Sequence, residues 1–129
     1  MVLDSSALMV ILQREPERDL FLSQIDSAPR RLISAATVIE ASIVVLSRRR
    51  EAGLADLQSL LTRLEAEIVP LALSQVDHAV DGFARFGKGR HPAGLNFGDC
   101  FSYALAKASG EPLLFRGDDF SKTDIERVV

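Results

Sequence analysis

The sequence predicts an α/β domain built on a short, mainly parallel sheet, and three observations carry that prediction. Short apolar runs ("MVL", "RRLISA", "IVPLAL", "PLLF") alternate with longer stretches whose apolar residues recur at helical spacing. Pro16, Gly87 and Gly110 fall at the boundaries of those stretches, where they start or stop helices. The chain has 129 residues, of which 47% are hydrophobic. That is one domain, 1–129, able to bury roughly two-thirds of the surface its unfolded chain exposes.

Taken in order, "MVLD" is a short first strand. "SSALMVILQRE" places Ala7, Leu8, Ile11 and Leu12 on one helical face. "EPERDLFLSQIDSA" is a second helix, with Pro16 near its start and acidic residues in its first turn. "RRLISA" is a strand. "TVIEASIVVLSRRR" reads as a buried helix by its length, although Val and Ile favour strands locally. "GLADLQSLLTRLEAE" is amphipathic through Leu54, Leu57, Leu61 and Leu64. "IVPLAL" is a strand ending near Pro70. "SQVDHAVDGFARFG" is a helix started by Ser74 and stopped by Gly87. A loop rich in Gly and basic residues, "GKGRHPAGLN", leads into the helix "FGDCFSYALAKASG". The strand in "EPLLFRGDDF" runs into an acidic turn, and "IERVV" is a final strand. No repeat, low-complexity tract or linker interrupts the chain.

Composition narrows the function. Net charge is −3, so bulk charge does not advertise a nucleic-acid partner, and a polyanion would have to meet a local basic rim. With no Trp and one Tyr, the core is aliphatic with several Phe. The single Cys100 excludes an internal disulfide and reads as a buried, inert thiol. No apolar run reaches the ~18 residues of a membrane span, and the start lacks the pattern of a secretory signal. A cytoplasmic protein is the default expectation.

The acids deserve separate placement. Asp4 closes the first strand, Glu40 lies in the first turns of the helix after the second, and Asp99 lies in the first turn of "FGDCFSYALAKA". Asp118 and Asp119 follow the strand "PLLF". In a parallel sheet these positions share one edge, outside the carboxyl ends of the strands, where ligands of such folds bind. Each acid alone has a plainer explanation. Asp4 suits an N-cap, "TVIE" suits a capping box between Thr37 and Glu40, "NFGD" suits another between Asn96 and Asp99, and "GDDF" suits a turn. Together they point elsewhere. Glu40 enters an apolar helix and no Lys or Arg occurs between Arg31 and Arg48, so a partly buried charge there needs a partner. Clustered carboxylates repel unless a cation joins them, and hard oxygen donors without Cys or His suit Mg²⁺ or Mn²⁺.

These residues resemble a known family. "MVLDSSALMVILQRE", "SAATVIEASIVV", "LNFGDCFSYALAK" and "PLLFRGDDFSKTDI" are similar, in order and spacing, to the four acidic motifs of PIN-domain ribonucleases, specifically VapC-type toxins of toxin–antitoxin modules. The resemblance implies a PIN-like three-layer α/β/α sandwich and an endoribonuclease using one or two Mg²⁺ or Mn²⁺ ions. It implies that Asp4, Glu40 and Asp99 form the metal site, with Asp119 favoured over Asp118 as the fourth acid. Ser6 matches a hydroxyl position beside the first acid, holding a carboxylate or a phosphate, and Asn96 matches a supporting position. Hydrolysis would proceed by an activated water, leaving 5′-phosphate and 3′-hydroxyl ends. The partners implied are a cognate VapB-type antitoxin, RNA and a second copy of the chain, with no membrane.

Other residues have weaker claims. Lys88, Arg90 and His91, in the loop before the third motif, could touch phosphate, as could Arg116 beside the fourth; a solvated loop is the alternative for the first three. "SRRR" suits a helix end, where cations complement the dipole, better than RNA contact. His78 reads as a surface residue. A phosphoacceptor receiver or a dehalogenase-like phosphatase would need further acids after strand one, where Ser5 and Ser6 stand instead. A catalytically idle PIN module that binds RNA or a protein, and a DNA-cleaving enzyme, remain the rival readings.

Overall fold

The computed structural model describes residues 1–129. Its strands are β1 (Val2–Leu3), β2 (Leu32–Ser34), β3 (Glu67–Val69) and β4 (Leu113–Leu114). They form one parallel sheet in the order β3-β2-β1-β4. Val2 stands opposite Leu32 and Leu113, and Leu3 opposite Leu114. Side chains alternate across a strand, so this register sorts the core into two faces. Leu3, Ile33 and Leu114 belong to one apolar cluster, and Val2, Leu32 and Leu113 to the other.

Helices cover both faces. Against the first cluster lie α1 (Ser5–Leu12), α2 (Arg18–Ser27) and α3 (Ala35–Arg63), through Leu8, Phe21, Ile25, Ala41, Val45 and Leu57. Against the second lie α4 (Leu73–Phe86) and α5 (Phe97–Ser109), through Phe86, Tyr103 and Leu105. This is the α/β/α sandwich that the family resemblance implies, built on the parallel sheet that the alternation of short strands and helices predicts. The strand order places the crevice. From β1 the chain moves to β2 and then β3 on one side, whereas β4 joins the other side of β1. The order therefore reverses at β1, and a crevice opens at the carboxyl ends of β1 and β4.

Local sequence explains most boundaries, and the structure corrects several of them. The "TVIE" capping box does not form. Ser34 caps α3 instead, its side chain accepting from the Ala36 amide, and the helix starts before Thr37. Thr37 is buried with its hydroxyl 3.3 Å from that of Ser102. The Val- and Ile-rich stretch is helical because Ala41 and Val45, four apart, both reach the core. The two helices predicted between Thr37 and Glu67 form one element, Ala35–Arg63, broken at Arg50 (φ 55°, ψ −142°). Gly53 permits the break: a Cβ there would stand 2.6 Å from the Val45 carbonyl oxygen.

Strand β3 stops at Val69 because Pro70 offers no amide to the ladder. Helix α4 begins at Leu73 with no side-chain cap, so Ser74 is not its starter. The "IERVV" segment is no strand. It makes a single parallel bridge, Leu113 to Arg127.

Candidate active site

Asp4, Glu40, Asp99 and Asp119, from four segments, line one open cleft of about 720 Å³ at this crevice, together with Glu15. Each is placed by its own element. Asp4 follows β1, and its amide donates to the Leu114 carbonyl of β4 at 3.0 Å. It is buried at 3% exposure and caps α1. Its Oδ2 accepts from the Ser6 amide at 3.0 Å and the Ser6 hydroxyl at 2.6 Å, and its Oδ1 accepts from the Ser102 hydroxyl at 2.7 Å. Both oxygens of a buried carboxylate are thus satisfied, which is what keeps such a charge tolerable. Ser6 also accepts from the Arg116 amide at 3.0 Å, tying the first and fourth motifs together.

Glu40 projects from the second turn of α3. Its Oε1 accepts from the Ser5 hydroxyl at 2.7 Å. Its Oε2 occupies the space beside Gly98, where a Cβ would lie 1.6 Å from that oxygen. Asp99 forms a full capping box with Asn96: its Oδ2 accepts from the Asn96 amide and the Asn96 side chain accepts from its amide, both at 2.9 Å. Burial pushes the Asp99 carboxyl up from 3.8 to about 6; the Asn96 amide opposes that shift, and the charges of Asp4, Asp119 and Glu40 add to it. The four acids therefore feel one another. They do not yet converge on a point, since no three His, Cys, Asp or Glu side chains stand as a ready ligand set.

The candidates named from sequence divide cleanly. The cleft gathers Asp4, Glu40, Asp99, Asp119, Ser6, Asn96 and Arg116. Asp118 lies outside it, its carbonyl accepting from Ser121 at the start of a 3₁₀ turn. Lys88, Arg90 and His91 are not brought there. Backbone bonds from Lys88 to Leu95 and from Leu95 to Phe86 fold their loop back over the end of α4. Arg90 packs over Phe83, and His91 lies edge-on to Phe86 with its Nδ1 accepting from Ala93. Cys100 is buried, and burial pushes its thiol up, as an inert core thiol requires.

Sequence reasoning missed Ser5, Ser102 and Arg48. Ser102 sits three residues after Asp99, on the same face of α5, and that spacing was the available signal. Arg48 belongs to the "SRRR" run, but it lines the cleft. The run therefore does more than end a helix.

Comparison with known proteins agrees with this geometry. The PIN domain family matches residues 1–126. A Ribonuclease VapC of Mycolicibacterium smegmatis is 47% identical over 128 residues, covering 99% of each chain. Ribonuclease VapC30 of Mycobacterium tuberculosis is 44% identical, covering 100% of this chain and 98% of that one. Among solved structures, the sarcin–ricin loop cleaving toxin VapC20 of Mycobacterium tuberculosis superposes with a TM-score of 0.76 at 12% identity, covering 96% and 95%. A toxin–antitoxin complex from Klebsiella pneumoniae gives 0.70 at 18% identity, covering 95% and 92%. With four acids on one sheet edge and whole-length identity to these relatives, the chain belongs to the PIN-domain family and, within it, to the VapC ribonucleases of toxin–antitoxin systems.

Proposed function

We propose that this chain is an endoribonuclease that hydrolyses RNA phosphodiesters with one or two Mg²⁺ or Mn²⁺ ions at the four-acid cleft. The observation that carries this reading is the delivery of Asp4, Glu40, Asp99 and Asp119 by four separate segments to one cleft. The donor set fits a hard divalent ion: oxygen only, mutually repelling, with Asp99 already lifted to about 6. Asp4 and Asp99 would be the principal ligands, with Glu40 and Asp119 completing the set directly or through water. A bound divalent ion supplies positive charge against the negative charge that grows on the phosphoryl oxygens, and makes water more acidic.

The protein's own groups hold and aim the carboxylates. Ser6 and Ser102 fix both oxygens of Asp4, Ser5 fixes one oxygen of Glu40, and Asn96 fixes one of Asp99. Those bonds occupy the hydroxyls at the cleft: Ser5 and Ser6 donate to carboxylates at 2.7 and 2.6 Å. In this reading a metal-activated water is the attacking group, which would leave 5′-phosphate and 3′-hydroxyl ends.

In this reading the chain is the toxin of a type II pair and binds a VapB-type antitoxin and a second copy of itself. An apolar groove lined by Val80, Phe83, Phe97 and Phe101, with Phe97 80% exposed, supports protein partners. No helix is long and apolar enough to cross a membrane.

The test is cleavage of total RNA by antitoxin-free protein in Mg²⁺, Mn²⁺ or EDTA, beside Asp99→Asn and a single-stranded DNA substrate. Metal-dependent RNA cuts bearing 5′-phosphates, lost in the variant, are expected. Equal behaviour of wild type and variant in every metal, with both folded, would move the reading to a binding module. Preferential DNA cutting would change the substrate.

A further inference from the structure

The cleft extends past the four motif acids, and its far end carries two arginines, Arg48 and Arg116, beside a fifth acid, Glu15. On α3, Glu40, Val44 and Arg48 are four residues apart and all line the cleft, so they form one stripe. On α1, Ser6 and Met9 form the facing stripe, continued by Gln13 just past the helix. The two stripes make the walls of a trough. It has acids at one end, the apolar side chains of Met9 and Val44 midway, and Arg48 about 12 Å along the helix axis from Glu40.

A chain of polar contacts crosses the far end. With the Gln13 amide oriented by its neighbours, its oxygen accepts from Arg48 Nη1 at 2.8 Å and its nitrogen donates to Glu15 Oε1 at 3.2 Å. The other oxygen of Glu15 is 2.6 Å from Arg116 Nη1. That last contact is an ion pair without hydrogen-bond alignment, because Glu15 Oε2 is buried and receives no aligned donor. The Arg116 guanidinium is half exposed; it is paired with Glu15 and has Glu17 at 3.9 Å from its Nε.

We infer that this trough is the path of the RNA strand away from the scissile bond, and that Arg48 and Arg116, held across it by Gln13 and Glu15, bind backbone phosphates beyond the reacting one. The inference rests on the nuclease reading and adds a subsite and a direction to it. Charge supports it. The carboxylates repel a polyanion, so an acidic cleft needs cations beside it to hold RNA. Lys88, Arg90 and His91 are folded away, and the arginines among the cleft residues are these two. Met9 and Val44 give a sugar or base an apolar surface between the two charged ends.

The experiment measures binding of a fluorescein-labelled, mixed-sequence single-stranded RNA to Asp99→Asn protein in Mg²⁺, across a potassium chloride titration. Arg48→Gln and Arg116→Gln should each weaken binding about three- to tenfold and lower the slope of log K against log salt by about 0.7, the value for one phosphate contact on a single strand. Arg48→Lys should restore the slope. Gln13→Ala keeps both charges, so it should keep the slope while weakening binding about two- to threefold, as expected of a positioning residue. Arg63→Gln, on the exposed end of α3 outside the cleft, should change neither. In the active enzyme Arg48→Gln should raise KM with little change in kcat. Thermal melts establish that each variant is folded. Unchanged affinity and slope in both arginine variants would overturn the trough and leave the nuclease reading standing. RNA binding by no variant, together with no cleavage by wild type, would overturn both.

Discussion

Replacing Asp99 by Asn removes a charge that the metal-free fold holds at a cost. The folded carboxyl stands at about 6 against an ordinary 3.8, raised by burial and by Asp4, Asp119 and Glu40 despite the Asn96 amide. The sign follows from proton binding. Between those two values the native protein holds a proton that the unfolded chain has released, so stability falls as pH rises through that window. Above about pH 6 the whole penalty is present. Taken at face value, a shift of that size is about 3 kcal/mol. The carboxylate is partly exposed, and solvent screening reduces the figure to about 1–2 kcal/mol. Asn has the same shape, and its carbonyl oxygen can still accept from the Asn96 amide, so the capping box survives. In EDTA at about pH 7.5 the variant should therefore melt roughly 3–8 °C above wild type, the spread following from the size of the domain. At about pH 5, in the middle of that window, roughly half of the gap should remain, and it should close as pH falls below the unfolded value of 3.8. Mg²⁺ or Mn²⁺ should raise the wild-type melting temperature and move the variant less. Circular-dichroism melts at the two pH values, with and without metal, decide the matter. A variant no more stable than wild type at the higher pH would show that the acids do not repel through this site and that the cap dominates.

The other predictions concern the supports around the site. Gly98→Ala should leave the protein folded within about 1 kcal/mol, because the new methyl meets the far end of the long Glu40 side chain and not backbone; displacing that carboxylate should lower RNA cleavage at least about tenfold. Ser102→Ala strips the only donor from Asp4 Oδ1 in a buried setting and should cost about 1–3 kcal/mol in urea denaturation, with activity falling as well. Asp124 tests the structure away from the cleft. Burial pulls its carboxyl up, but hydrogen bonds from Lys107 and Tyr103, with the charges of Lys107 and Arg85, hold it below the ordinary range. Its contribution is therefore present above the unfolded value and lost as pH falls through the folded one. Asp124→Asn should cost about 1 kcal/mol at neutral pH, discounted for partial exposure, and progressively less in acid; a loss that persists unchanged at about pH 2 would refute the electrostatic account.

What could be read from the sequence depended on whether one element alone determined the answer. Asp4, Asp99 and Asp119 each adjoin a strand end or helix start, and a parallel sheet sends all such places to one edge, so linear position was sufficient. Glu40 was legible for a different reason: an acid inside "VIEASIVV" has no local partner in sequence. The failures share the opposite property. Thr37 and Ser34 both satisfy capping chemistry, and only the packing of Thr37 against Ser102 chooses between them. Lys88, Arg90 and His91 stand close to the third motif in sequence, but two backbone bonds turn their loop away. Likewise, nothing in the spacing of Phe97 or Val80 tells a buried apolar side chain from an exposed one.

Arg48 shows most clearly how helix geometry outruns composition. Three arginines at a helix end are a sufficient explanation of themselves, since cations suit that end of the dipole. The run is not uniform in space. Arg50 takes the left-handed bend that breaks α3, Arg49 pairs with Asp56 at 2.6 Å across that bend, and only Arg48 is in step with Val44 and Glu40. Counting by fours from the acid at the helix start leads to the arginine at its end. Glu40, the proposed metal-site acid, and Arg48, the proposed phosphate-binding cation, thus lie on a single helical stripe. A rigid helix fixes their separation at about 12 Å, so moving Arg48 by one position, with Ser47→Arg in Arg48→Ser protein, should lose RNA affinity as Arg48→Gln does although net charge is kept. Retained affinity in that double variant would mean that the cleft responds to bulk charge and not to register.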